Sequence, residues 1–107
     1  MEIRFANSQL EKICASKPTA RKKYGERCAD ILFRRLAQME TAKDMEEALI
    51  CAPGHYHPLT GKRKGQWACR LQGGMRLIFV PGARGEMVIK EITGPTLTIL
   101  EIMDYHH

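Results

Sequence analysis

Near its start the chain alternates between polar and apolar positions, first with the period of a strand and then with that of a helix. Residues 2–6, EIRFA, alternate one by one and predict a short strand. Ser8 is followed three residues later by Glu11, a capping-box pattern that predicts the start of a helix. This helix should end near Ser16, because the Lys-Pro pair that follows disfavours helical backbone before the proline.

A longer helix is predicted over residues 18–39, with its proline in the first turn. Its apolar residues recur at helical spacing and predict one buried face: Tyr24, Cys28, Ile31, Leu32, Leu36 and Met39. A short third helix over 43–50 should bury Met45 and Leu49. The basic residues of the long helix lie mostly off its apolar face, which predicts a positively charged outer surface.

From Gln66 onwards the period changes to two, which predicts strands. Turns that contain glycine or proline separate four of them: 66–71, 75–80, 86–92 and 97–103. The first two strands flank a Gln-Gly-Gly turn that is typical of a hairpin. Helices followed by strands indicate an α+β domain in which the helices cover one face of a mostly antiparallel sheet of four or five strands. The opposite face is expected to remain open for a ligand.

Length and composition place the chain among ordinary globular proteins. Its 107 residues suit a single domain, 1–107, with one modest core. The 44% hydrophobic and 27% charged content is typical of such a domain. No apolar run approaches the roughly 20 residues that cross a bilayer, and the segment MEIRFANSQLEK lacks the pattern of a signal peptide. We therefore expect a cytoplasmic protein.

The four cysteines, Cys14, Cys28, Cys51 and Cys69, are widely spaced and form no CxxC pair. Zinc sites are commonly built from such pairs, so the sequence does not support a metal site. In a reducing compartment we interpret these cysteines as small apolar residues or free thiols.

The net charge of +5 is concentrated in two groups of residues. One group comprises ARKKYGER (20–27) and FRRL (33–36), and the other comprises GKRKGQW (61–67) with Arg70, Arg76 and Arg84. Such a surface attracts polyanions or an acidic protein partner. For the first group, a solvated face without a partner is an equal alternative.

Candidate catalytic residues occur in a loop and at the end of the chain. The loop before the first hairpin strand contains His55 and His57, the hairpin carries Arg70 and Arg76, and the sequence closes with Asp-Tyr-His-His at 104–107. Antiparallel packing would bring these three places together. A surface histidine is usually just solvated, so the spacing alone is a weak signal.

The same set of side chains suits RNA cleavage without a metal. That reaction needs a base for the ribose 2′-hydroxyl, an acid for the departing 5′-oxygen and a cation for the charge on the phosphorane. Histidine serves as acid or base near neutral pH, and arginine offers a fixed fork for phosphate oxygens. The residues do not show which group is the base and which is the acid.

Three segments occur in the order that is found in the HigB branch of the RelE/ParE toxin superfamily, which the chain resembles. They are HPLTGKRKGQWACRL (57–71), MRLIFV (75–80) and ILEIMDYH (99–106), preceded by a Pro-Gly pair. The resemblance extends over about 20–106. It implies a RelE/ParE-like fold and a type II toxin–antitoxin toxin that cleaves mRNA in the ribosomal A site as an endoribonuclease, with no metal or other cofactor.

The resemblance also implies site residues. His57 matches the loop histidine assigned to catalysis, Arg76 matches the arginine placed near the scissile phosphate, and the closing triplet matches the terminal catalytic residues: Asp104, Tyr105 and His106. The basic segment that grips RNA corresponds to Lys62, Arg63 and Lys64. Arg70 is a further candidate for RNA binding, with a plain surface charge as the alternative.

The implied partners are a HigA-like helix-turn-helix antitoxin, the ribosome and mRNA, with DNA reached only through the antitoxin complex and no membrane. We expect an acidic antitoxin surface to cover part of 18–39, including Arg34 and Arg35, or the cleft. Association should then be fast and sensitive to salt.

Two other functions remain open: a gyrase poison that cleaves nothing, and a non-toxic co-repressor that acts with the antitoxin. A poison that cleaves nothing needs no acid–base residues, so their presence argues against a gyrase poison. The chain also departs from the family pattern in places. Met75 stands where tryptophan is frequent, the turn is Gln-Gly-Gly, the stretch 85–102 is longer than in compact members, and His107 is an additional histidine.

Overall fold

A computed structural model of the protein describes residues 1–51, 54–82 and 96–104. These residues form four helices, α1 (Ser8–Ala15), α2 (Lys17–Tyr24), α3 (Glu26–Thr41) and α4 (Met45–Cys51), and five strands, β1 (Glu2–Phe5), β2 (His57–Pro58), β3 (Trp67–Arg70), β4 (Met75–Pro81) and β5 (Thr96–Asp104). The predicted strands 66–71, 75–80 and 97–103 are confirmed, and the short strand β2 was not predicted. The predicted strand 86–92 lies outside the described residues.

The strands form one sheet in the order β1-β5-β4-β3-β2. β1 runs parallel to β5, and the other neighbours within the described part are antiparallel. The α+β prediction with a mostly antiparallel sheet is therefore confirmed. Since β5 lies between β1 and β4, the end of the described chain lies beside the β3–β4 hairpin.

The helix predicted over 18–39 is divided in two at Gly25, so that prediction was wrong. Gly25 has φ +90°, a backbone conformation that L side chains rarely adopt and that interrupts the helix. Its N–H donates to the carbonyl of Arg21 at 2.8 Å and completes the last turn of α2. The chain then restarts as α3, whose buried face includes Cys28, Leu32 and Met39.

The first helix is capped by Asn7, one residue earlier than predicted. The Asn7 side chain accepts a hydrogen bond from the Leu10 N–H at 2.9 Å, and Ser8 is already the first helical residue. The cap therefore lies one residue before the position that the capping-box pattern of Ser8 and Glu11 predicted, because asparagine is as good a cap as serine.

Replacing Asn7 with alanine is expected to lower the free energy of unfolding by about 1 kcal/mol, since a lost cap leaves helix N–H groups unsatisfied. Replacing Ser8 with alanine is the matched control and should change it by less than about 0.5 kcal/mol, as for an ordinary surface position. Urea unfolding of both variants measures the difference. The reverse order of effects would restore Ser8 as the cap.

The helices pack on one side of the sheet and form the main core there. This inner face contributes Cys69, Leu71, Leu77, Phe79, Leu97 and Ile99, which pack against Leu10, Ile13, Leu32, Leu36, Met39 and Met45 from the helices and the segments that flank them. A smaller apolar cluster lies on the outer face of the sheet, turned away from the helices: Leu59, Ala68 and Ile78, with the half-buried Leu100 and Met103 beside them.

The cysteines behave as apolar residues wherever their side chains are described. Cys14, Cys28 and Cys69 are free thiols, and the last two are buried. Burial raises the pKa of Cys14 to about 11 and that of Cys69 to about 12, so both thiols stay protonated at neutral pH.

An irregularity in β5 changes which of its residues face the core. Ile78 lies opposite Glu101 but Phe79 lies opposite Ile99, so Leu100 is an extra residue in β5. Strict alternation along β5 would place Ile99 on the same face as Glu101 and Met103. Instead, Ile99 and Ile102 both pack on the inner face.

No helix within the described ranges combines the length and the apolar character that crossing a bilayer requires.

Candidate active site

The outer face of the sheet carries a row of side chains that begins with His57. Cross-strand pairing places His57 opposite Ala68, Ala68 opposite Ile78, and Ile78 opposite Glu101. Directly opposed residues point to the same side of a sheet. Because Ala68 and Ile78 belong to the outer apolar cluster, the whole row lies on the outer face.

A second row runs parallel to the first, two residues further along the hairpin. Arg70 lies opposite Arg76, and Arg76 lies opposite Met103. His57 and Arg70 are diagonal neighbours, and diagonal neighbours have Cα atoms roughly 7–8 Å apart. The structure therefore brings His57, Arg70 and Arg76 to the same face, as the predicted cleft requires.

Two arginines that face each other across neighbouring strands are an unfavourable arrangement. Like charges directly opposite destabilise a sheet, and here both residues are charged at neutral pH. An anion bound between Arg70 and Arg76 would remove the repulsion.

The His57 imidazole is oriented by its own loop. Its Nδ1 lies 3.1 Å from the carbonyl oxygen of His55. A carbonyl oxygen can only accept, so Nδ1 carries the proton and Nε2 is the unprotonated nitrogen of the neutral ring. His55 has φ +54°, in the left-handed region, which turns its carbonyl toward the next histidine. His57 is therefore held in the tautomer that has a basic Nε2.

The guanidinium of Arg76 is held at the hairpin turn. Its Nη1 donates to the carbonyls of Gly73 and Met75, at 2.8 and 2.9 Å. Gly73 has φ +59°, and the Met75 N–H closes the turn on the carbonyl of Gln72 at 3.0 Å. The Gln-Gly-Gly turn thus supplies an oxygen that fixes the arginine side chain.

Arg63 contacts other parts of the protein more extensively than the predicted role in gripping RNA suggests. It forms an ion pair with Glu101, donates to the Gln66 side chain at 2.8 Å and lies 3.3 Å from the Met103 sulfur. These contacts tie the 3₁₀ turn (Gly61–Arg63) to β5. Lys62 and Lys64, which flank it, are exposed. Glu101 was not predicted as a site residue, although its carboxylate stands out among the apolar residues of ILEIM (99–103).

The end of β5 lies beside the hairpin arginine. Asp104 is exposed and lies opposite Met75, and the preceding residue, Met103, lies opposite Arg76. Asp104 therefore lies at the same edge of the sheet as Arg76, although its backbone position faces the inner side. Tyr105, His106 and His107, which complete the predicted terminal group, lie outside the described residues, as does Arg84.

The loop that carries His57 is attached to the sheet at two points that the sequence did not reveal. The Arg70 N–H donates to the carbonyl of Gly54 at 2.7 Å. The Tyr56 ring meets Phe79 edge to face, with centroids 5.8 Å apart. Burial also raises the pKa of the Tyr56 phenol, so it stays protonated. Tyr56 therefore serves as an apolar support beneath the loop.

A basic surface covers the outside of α2 and α3. Arg21, Lys22, Lys23, Arg27 and Arg34 are exposed there, which confirms the predicted charged outer surface for these residues. Asp30 neutralises part of it, with Lys17 at 3.0 Å and Arg21 at 3.9 Å. The hydrogen bond from Lys17 lowers the pKa of the Asp30 carboxyl. Over the described ranges, His, Cys, Asp and Glu side chains form no group of three that could hold a metal ion.

The fold is shared with a known protein. The structure superposes on a YoeB/ParE toxin from Agrobacterium tumefaciens with a TM-score of 0.63, covering 99% of this chain and 100% of that chain at 12% sequence identity. No protein-family model and no curated protein matches the sequence. The similarity confirms the expected RelE/ParE-like fold.

Proposed function

We propose that this protein is the toxin of a type II toxin–antitoxin pair and that it cleaves mRNA on the ribosome by acid–base chemistry without a metal. The observation that supports this most strongly is the gathering of His57, Arg70 and Arg76 on one face of the sheet. They are gathered in a fold that a YoeB/ParE toxin shares along its whole length.

In the proposed reaction His57 is the base. Its Nε2 takes the proton from a ribose 2′-hydroxyl, and the 2′-oxygen attacks the adjacent phosphorus while the bond to the 5′-oxygen breaks. The departing oxygen receives a proton from an acid, for which Tyr105 and His106 are the candidates from the family pattern. The products are a 2′,3′-cyclic phosphate and a free 5′-hydroxyl. Arg76, with Arg70 opposite, stabilises the negative charge that develops on the phosphorane.

Within the superfamily, we assign the protein to the HigB branch on its sequence motifs, with a HigA-like helix-turn-helix antitoxin as partner. An acidic antitoxin segment would contact the exposed Arg27 and Arg34 on α3. Charge reversal at Arg27 and Arg34 should then slow association and weaken its dependence on salt.

The direct test is cleavage of mRNA on ribosomes. Purified protein is added to ribosomes that carry an mRNA with an occupied P site, and the ends of the fragments are mapped. We expect cuts within the A-site codon and a cyclic phosphate on the upstream fragment, which is the product of attack by the 2′-hydroxyl. Intact mRNA, or an upstream fragment that ends in a 3′-hydroxyl, would contradict the proposal.

A gyrase poison is the second candidate, because the protein with the shared fold is described as YoeB/ParE. Inducible expression separates the functions. Growth arrest that His57→Ala relieves supports the ribonuclease. Arrest that persists in this variant and is accompanied by DNA damage signalling supports the poison, and absence of arrest with the unmutated protein supports a non-toxic co-repressor.

Removing the charges of Lys62 and Lys64 together is expected to weaken ribosome binding and to reduce its dependence on salt. Each contact with a single-stranded phosphate contributes about 0.7 to the slope of log affinity against log salt, so the slope should fall by about 1.4. Lys43→Ala, at an exposed lysine next to α4, is the control. An unchanged slope in the double variant would mean that these lysines do not contact RNA.

A further inference from the structure

Arg35 of α3 contacts the sheet, although the sequence placed it on the outer basic surface together with Arg34. Its Nε donates to the carbonyl oxygen of Arg70 at 3.1 Å, and its side chain is half-buried. Arg34, the next residue in the helix, is exposed. The two neighbours therefore have different surroundings, although both were predicted to lie on the surface that the antitoxin covers.

The backbone of Arg70 is held from both sides. Its carbonyl accepts from Arg35, and its N–H donates to the carbonyl of Gly54 at 2.7 Å. One residue of β3 thus joins α3 to the loop that leads to His57. These two hydrogen bonds lie at the end of the strand, where the ladder between β2 and β3 has already ended.

Gly54 packs directly against the Arg35 side chain. A Cβ atom at this position would lie 2.6 Å from Nε of Arg35, closer than real contacts allow, and 3.1 Å from Cδ, so the arginine side chain would have to move away from Gly54. Gly54 is also buried and has φ +135°, so a side chain would be strained as well as crowded. The path of the loop at Gly54 is therefore fitted to the position of the arginine.

Two residues, His55 and Tyr56, separate this contact from the His57 imidazole. After Gly54 the chain turns at His55, whose carbonyl accepts from Nδ1 of His57, and Tyr56 rests on Phe79. A shift of the Gly54 peptide would move the His55 carbonyl, because the two are adjacent in the chain. The hydrogen bond that selects the His57 tautomer would then be weakened.

We propose that Arg35 is a positioning residue for His57: it fixes Gly54 and Arg70, and through them the His55 carbonyl that orients the imidazole. The inference adds a positioning residue to the proposed ribonuclease site, and its expected effect on the cleavage rate rests on that proposed function. Arg35 acts through the protein and does not contact RNA. Its effect on the His57 tautomer does not depend on what the substrate is.

The experiment compares Arg35→Ala and Arg35→Lys with Arg34→Ala, a matched control that removes the same charge from the same helix. Single-turnover cleavage on programmed ribosomes gives the maximal rate and the half-saturating protein concentration separately. The ¹⁵N resonances of the His57 imidazole report its tautomer in the free protein. Unfolding curves establish that each variant is folded at the assay temperature.

We expect Arg35→Ala to lower the maximal rate by about 10–100-fold, because a misplacement of about 1 Å at a reacting group costs up to that much. Its half-saturating concentration should match that of Arg34→Ala, since both lose one charge. The imidazole should leave the pure Nδ1–H tautomer in Arg35→Ala. Arg35→Lys should recover most of the rate, because its ammonium group still donates to the Arg70 carbonyl.

Two results would overturn the inference. One is a rate in Arg35→Ala equal to that of Arg34→Ala, and the other is an unchanged His57 tautomer in a folded Arg35→Ala. If the unmutated protein cleaves no mRNA, the proposed function fails but the tautomer measurement still decides the role of Arg35. If Arg35→Ala does not fold, the cleavage rate and the His57 tautomer of Arg35→Lys decide the question.

Discussion

Replacement of His57 by alanine is expected to reduce the maximal rate of mRNA cleavage by about 10²–10⁴-fold, the usual contribution of a positioned general base. The structure gives the physical reason, because the bond from Nδ1 to the His55 carbonyl leaves Nε2 as the basic nitrogen. Without the imidazole, only water remains to remove the proton from the 2′-hydroxyl. Single-turnover cleavage on programmed ribosomes, with product mapping, measures the loss.

The control for this variant is His55→Asn. It removes an exposed imidazole two residues away but keeps the backbone carbonyl, and asparagine tolerates the positive φ of that position. Its rate should stay within a few-fold of that of the unmutated protein. If His57→Ala retained the full rate, or if His55→Asn lost as much, His57 would not be the base. Growth arrest on expression should follow the same order.

The secondary structure was largely predictable because it depends on local patterns. Alternation identified β3, β4 and β5, and helical spacing identified the buried face of α3. The errors came from single residues whose backbone preference overrides a pattern. Gly25 interrupts a continuous apolar stripe by adopting a positive φ, and Asn7 takes over the cap from Ser8.

The pairing of strands was less accessible from the sequence. Nothing local shows that β1 runs parallel to β5, because the pairing joins the first and last parts of the chain. The extra residue at Leu100 was also invisible, since it depends on how β5 meets β4. A shift of one residue reverses the faces of all following side chains, so Ile102 rather than Met103 joins the main core.

In the candidate site, too, local features were predictable and long-range contacts were not. His57, Arg70 and Arg76 were predicted to gather in one cleft, and their position on one face follows from hairpin pairing, which the turn determines locally. The contacts of Arg63 with Glu101 and of Arg35 with Arg70 join residues 38 and 35 positions apart. Sequence patterns treat such arginines as surface charges, because only the packed fold determines which of them turn inward.

Replacement of Phe79 by alanine is expected to lower the free energy of unfolding by about 3–5 kcal/mol, the usual cost of emptying a fully buried phenylalanine site. Phe79 is completely buried in β4, where it lies opposite Trp67 and Ile99. A domain of this kind has a total stability of only about 5–15 kcal/mol, so the variant should lose a large part of it. Urea unfolding, followed by the fluorescence of the single tryptophan, Trp67, measures the change.

Phe79 also links the core to the candidate site, because the edge-to-face contact with Tyr56 supports the loop that carries His57. At a temperature where Phe79→Ala remains folded, its cleavage rate should therefore fall as well. Ile50→Ala is the matched control, since Ile50 is a large apolar residue that is 74% exposed. It should change stability by less than about 0.5 kcal/mol and leave cleavage unaffected. Equal unfolding midpoints for the two variants would mean that Phe79 is not at the centre of the core. A normal cleavage rate in folded Phe79→Ala would mean that the contact of Phe79 with Tyr56 does not support the loop.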